Sequence, residues 1–99
     1  MSVSKTFKVE VLNEATNLQV PMKPIHWDFS NDKEGTRILD IRWRKIPESK
    51  ATGIYNYYVY MTITCDTEQK CYDEFEGQMS DGYFENFLLD DIGEVWEVA

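Results

Sequence analysis

The reactive side chains of this 99-residue chain are one histidine, two cysteines and eighteen carboxylates, and their spacing argues against most of the chemistry they could do. His26 lies among Pro24, Trp27 and a polar stretch. A general base needs an orienting partner and a metal site needs further ligands, and the neighbouring sequence offers neither. Cys65 and Cys71 are separated by five residues across an expected hairpin. A zinc site would need a second pair of ligands and a nucleophilic thiol a basic neighbour, so both read as structural, reduced thiols. A disulfide between them is sterically open but not required for stability at this chain length.

The carboxylate pairs Asp73/Glu74 and Asp90/Asp91 are adjacent in sequence. On a strand, adjacent side chains point to opposite faces and cannot converge on one atom. There is no acidic calcium loop, no Gly-rich phosphate cradle and no Gly-x-Ser-x-Gly elbow. The expectation is a protein that is not an enzyme, with no catalytic residues, metal ligands or cofactor.

Two constellations suit binding instead. The first joins Arg37, Arg42, Arg44 and Lys45 with Tyr58 and Tyr60, which share a sheet face if their two strands pair. Arginine and tyrosine on a sheet can stack the bases of single-stranded nucleic acid, or pair internally with the chain's own acids. The second is acidic. Residues 71–99 carry nine acids and no base, against seven acids and nine bases in residues 1–65. Among those acids stand Tyr72, Phe75, Tyr83, Phe84, Phe87, Leu88, Ile92 and Trp96, apolar surface that must be buried, so the carboxylates sit on a folded surface rather than on a disordered tail.

The net charge of −8 keeps such a surface soluble and excludes non-specific attraction to DNA, RNA or an anionic membrane. No stretch of about 20 apolar residues forms a membrane span, and the N-terminal residues lack the apolar run of a signal peptide. A soluble, cytoplasmic protein is expected.

Periodicity supplies the elements that must hold these groups. Residues 5–12 alternate with Phe7, Val9 and Val11 on one face. Residues 13–35 read mostly as loop, with a short extended piece around Ile25 to Phe29. Arg37 to Ile46 alternates with Leu39, Ile41 and Trp43 together, and after a turn over Pro47 to Gly53 the uncharged run Ile54 to Cys65 suits a central strand. Asp66 to Gln69 is turn-like and Lys70 to Gly77 returns as the next strand. Ser80 or Asp81 can cap a short amphipathic helix over Asp81 to Ile92, with Gly93 as its stop, in preference to a hairpin at Asp81-Gly82. Glu94 to Ala99 alternates again.

The expected fold is therefore a single α+β domain over residues 1–99, an antiparallel sheet of four to five strands with one short C-terminal helix. The expected function is that of a small acidic binding protein that blocks a basic surface, nucleic-acid-binding or catalytic, of a partner protein. Phage-encoded anti-defence proteins and toxin immunity proteins have this size and charge as classes. The expected contact residues are Asp73, Glu74, Glu76, Glu85, Asp90, Asp91 and Glu94, with Tyr83 and Phe84 as apolar anchors. Two alternatives stand beside it: an accessory subunit with an aromatic interface, and a single-stranded nucleic-acid binder acting through Arg42, Arg44 and Tyr58.

Overall fold

Strict alternation of apolar side chains builds the sheet, and among the described residues one helix covers one of its faces. The computed structural model describes residues 2–11, 24–45, 57–86 and 92–98. Four strands, β1 (Val3–Val11), β2 (Ile25–Asp28), β3 (Arg37–Lys45) and β4 (Tyr57–Cys65), precede the helix α1 (Glu68–Ser80). A 3₁₀ turn over Tyr83–Asn86 and the strand β5 (Ile92–Val98) follow. The five strands pair antiparallel throughout, in the order β2-β3-β4-β1-β5. This is the α+β class expected from the sequence. The expected turn over residues 47–53 lies outside the described residues.

One face of the sheet is the core side. Phe7, Val9 and Val11 of β1, Leu39 and Ile41 of β3, and Val59, Met61, Ile63 and Cys65 of β4 are buried there. Cys71 and Phe75 of α1, together with Phe84, close the layer from outside. The Phe7 and Phe75 rings stack with centroids 4.0 Å apart and planes 7° from parallel, which fixes the helix over β1 and β4.

Two expectations about local structure are corrected. Lys70 to Gly77 is not a strand but the body of α1. Thr67 is its N-cap, the Thr67 hydroxyl accepting from the Lys70 N–H at 3.2 Å, so the residues that read as a turn are a helix start. Cys71, Phe75 and Gln78 are its buried residues, at i, i+4 and i+7, the helical period. The helix expected over Asp81 to Ile92 is not there as such. Asp81 is the C-cap of α1, its N–H donating to the Gly77 carbonyl at 2.8 Å, Tyr83–Asn86 form the 3₁₀ turn, and Ile92 opens β5. Residues 87–91 lie outside the described residues.

Gly93, read as a helix stop, sits instead in a β-bulge. Between the pairs Val9↔Val95 and Val11↔Ile92, β1 contributes only Glu10 while β5 contributes Gly93 and Glu94. The β2–β3 connection is a tight turn bridged between Asn31 and Gly35, with Asn31 Oδ1 accepting from the Lys33 and Glu34 N–H groups. Gly35 has φ 83°, and a Cβ there would strike the Asp66 carboxylate, so this turn needs glycine twice over.

Candidate functional site

Alternation sends every second strand residue away from α1, and on that far face the register assembles two rows. In one, Arg42 of β3 lies opposite Tyr60 of β4, Tyr60 opposite Lys8 of β1, and Lys8 opposite Trp96 of β5. In the next, Arg44 lies opposite Tyr58, Tyr58 opposite Glu10, and Glu10 against the Gly93–Glu94 bulge. The Lys8 ammonium is held over aromatic rings, 3.9 Å from the Tyr58 centroid, 5.1 Å from Trp96 and 5.9 Å from Tyr60. Tyr58 meets Trp96 and Tyr60 edge to face at 6.0 and 6.4 Å. Arg42 and Arg44 are exposed, and among the described residues neither is within ion-pair distance of a carboxylate. No described element packs on this face.

Of the basic cluster read from the sequence, Arg42 and Arg44 thus do share a face with Tyr58 and Tyr60. Arg37 does not, because its odd number sets it opposite Cys65, on the core side. Lys45 pairs with Tyr57 at the end of β3, and its side chain lies outside the described residues. Sequence reasoning does not bring Lys8 and Trp96 to this cluster. Their alternation is readable, but which strands flank β1 is not.

The acidic residues are distributed differently. Asp73 and Glu76 are exposed on the outer side of α1, and Asp81 is exposed at its end. Glu74 is drawn inward: Arg37 Nη2 donates to Glu74 Oε1 at 2.9 Å and Gln78 Nε2 donates to the same oxygen at 2.9 Å. Arg37 Nε also lies 2.9 Å from Glu74 Oε2, but off the hydrogen-bond axis, so it adds Coulombic attraction without a second bond. Glu94 is exposed on β5, on the opposite side of the sheet from α1. Tyr83 and Phe84, expected as apolar anchors, face inward. The Tyr83 hydroxyl accepts from Trp43 Nε1 at 2.6 Å, burial pushes its phenol pKa up, and Phe84 is 2% exposed. The side chain of Glu85 and the whole of Asp90 and Asp91 lie outside the described residues.

His26 has a partner after all. Its Nδ1 is 2.5 Å from Asp40 Oδ1 across the β2–β3 pair, and that hydrogen bond, reinforced by the carboxylate charge, raises the imidazole pKa above its ordinary 6.5. The pair is exposed and lines a shallow depression with Pro24, Ile25, Ile41, Arg42 and Thr62, none of which is an activated nucleophile. Cys65 and Cys71 are free and buried, and burial pushes the Cys65 thiol up to about 11, which makes it a poor nucleophile near neutral pH. Among the described residues no three His, Cys, Asp or Glu side chains gather as a metal site, and no helix is long and apolar enough to cross a membrane.

The molecule therefore has two unlike sides, an acidic helical one and an aromatic and basic sheet face. Comparison with protein-family models, with curated proteins and with solved structures yields no match.

Proposed function

We propose that this is a non-enzymatic binding protein that covers a basic surface of a partner protein, nucleic-acid-binding or catalytic, and that the outer side of α1 is the part that docks. One observation carries the reading. The bases that reach the helix are already engaged, Lys5 with Glu68 at 3.1 Å, Arg37 with Glu74 at 2.9 Å and Lys70 with Asp66 at 3.8 Å, while Asp73, Glu76 and Asp81 are exposed with no cationic partner among the described residues. These three span roughly 12 Å at a helical rise of about 1.5 Å per residue, on a rigid element. Asp81 also stands at the helix C-terminus, where negative charge opposes the macrodipole and no basic residue in the last turn compensates it. A charge placed against folding is consistent with selection for binding. The block is steric and electrostatic, with carboxylates occupying positions that phosphates would take.

The test is capture from a lysate of the source cells by wild type and by the triple variant D73K/E76K/D81K, at about 50 mM and about 500 mM salt. Wild type should retain nucleic-acid-binding proteins at low salt, release them on added DNA or at high salt, and lose them in the variant. Recovery of the same proteins by the variant, or binding indifferent to salt and DNA, refutes the reading.

A further inference from the structure

We infer that the aromatic and basic face of the sheet is a self-complementary surface that binds a second copy of this chain, face to face, about a two-fold axis parallel to the strands. The proposal does not rest on the acidic docking face of α1.

The argument is the arrangement of charge across the rows. In these two rows the arginines lie at the β3 side, Arg42 and Arg44, and the carboxylates at the β1–β5 side, Glu10 and Glu94, with Tyr58, Tyr60, Lys8 and Trp96 in or beside the middle; Asp40, in the next row of β3, is already held by His26. Rotating a second sheet by half a turn about an axis running along the strands between β4 and β1 keeps each row opposite the same row and exchanges its ends. Arg44 then faces the partner's Glu94, Tyr58 the partner's Glu10, Arg42 the partner's Trp96 and Lys8 the partner's Tyr60. Every one of these is an attractive pairing: ion pair, hydroxyl to carboxylate, and two cation–π contacts. The other in-plane two-fold, across the strands, sets Lys8 against the partner's Glu10 but Arg42 against the partner's Arg44, so a like-charge contact offsets its ion pair. The charge pattern therefore selects one geometry.

Size and composition agree. The four strands that overlap about this axis, β3, β4, β1 and β5, at about 4.8 Å and eight steps of about 3.4 Å, give a footprint of roughly 500 Å² before side-chain relief. That is the size of a small, reversible interface, about 600 Å² or less per partner. Tyrosine, tryptophan and arginine are the residues enriched at such surfaces. Sheets packed face to face stand about 10 Å apart, which places the two acidic helices on the outside, farther from the joining plane than the ~8 Å screening length at physiological salt. A single strand of nucleic acid would also meet Arg42, Arg44 and Tyr58, but it must approach a chain of net charge −8, and Glu10 and Glu94 repel its phosphates while a second copy uses them.

Sedimentation and light scattering on the purified protein at about 100 μM test it, with Arg44→Glu, Glu94→Arg and their mixture. Both residues are exposed, so the variants should keep the wild-type circular dichroism spectrum, while their unfolding midpoint at this concentration falls by what dimerisation contributes. Wild type should be dimeric. Each single variant sets like charges together twice and should raise the dissociation constant about tenfold or more. Mixed, the two variants restore both attractive pairs: the carboxylate that R44E introduces meets the guanidinium that E94R introduces across one half, and the unchanged Arg44 meets the unchanged Glu94 across the other. The mixture should therefore form a heterodimer. A monomeric wild type, or a mixture that fails to associate, overturns the proposal. So does tight, Arg42- and Arg44-dependent binding of a labelled oligothymidylate by the monomer, which would assign the face to nucleic acid. Failure on any of these counts leaves the α1 docking face untouched, since its variants are at other residues.

Discussion

Replacing Phe75 by alanine tests the docking of α1 most directly. Phe75 is 9% exposed and its ring lies flat on Phe7, itself 4% exposed. Truncation takes roughly 130 Å² of apolar area out of contact, about 3 kcal/mol at ~25 cal/mol per Å². Loss of the stacked pair adds about 0.5–1.5 kcal/mol, and the sum falls within the 3–5 kcal/mol typical of buried Phe→Ala changes. Against a total stability of about 5–15 kcal/mol this is a large fraction, and it corresponds to a fall in Tm of roughly 15–30 °C for a domain of this size. Urea unfolding followed by tryptophan fluorescence should show that loss with an unchanged m-value, while Phe75→Leu, which keeps most of the volume, should lose less than about 1.5 kcal/mol. A loss under about 1 kcal/mol for Phe75→Ala would mean that the ring is not held between helix and sheet, and the fold would be refuted at its centre.

Gly77 lies in α1 with nothing within 4 Å of where a Cβ would stand, so Gly77→Ala should stabilise the protein by about 0.5–1 kcal/mol in the same urea assay; destabilisation would argue that the segment is not helical. Gly35→Ala should do the opposite and destabilise by more than about 1 kcal/mol, because its φ of 83° and the Asp66 carboxylate both resist a side chain; a neutral outcome would contradict the turn geometry. Because Asp40 raises the folded-state pKa of His26, the proton on His26 stabilises the fold below about pH 6.5, and that contribution disappears as pH rises through the folded value. An NMR titration should place His26 above 6.5 in wild type and nearer to it in Asp40→Asn; a wild-type value at or below 6.5 would remove the hydrogen bond from the account.

The strands are legible in the sequence because alternation survives in each of them: Phe7, Val9 and Val11; Leu39 and Ile41; Val59, Met61, Ile63 and Cys65 are all buried as their period requires. The extended piece near Ile25 is β2, and the C-terminal alternation is β5, with Trp96 and Val98 on one face and Val95 and Glu97 on the other. Periodicity misplaces the helix for physical reasons. Its buried stripe is narrow and includes a polar residue, Gln78, whose Oε1 accepts from the Tyr83 N–H at 2.8 Å, and Gly77 interrupts it. Meanwhile Phe84 and Ile92, which mimic a helical spacing, belong to a 3₁₀ turn and a strand. At the candidate site, the shared face of Arg42, Arg44, Tyr58 and Tyr60 follows from parity alone. The ion pair of Arg37 with Glu74, the His26–Asp40 contact and the place of Lys8 beside Trp96 depend on which segments become neighbours in space, and periodicity carries no information about that.

The strand order also dictates when the fold can form during synthesis. Strand β1 is made before β4 and β5 yet occupies the slot between them, and its pairs with β4, such as Val9↔Val59 and Val3↔Cys65, join positions 50 to 62 residues apart. At a ribosome adding about 5–20 residues per second, the apolar row of β1 waits several seconds for its first neighbour, and its other side stays bare until β5 emerges. Such distant pairings carry a high closure cost before any reward, so slow assembly is expected, and the apolar row of β1 is the part of the nascent sheet that most needs shielding by chaperones.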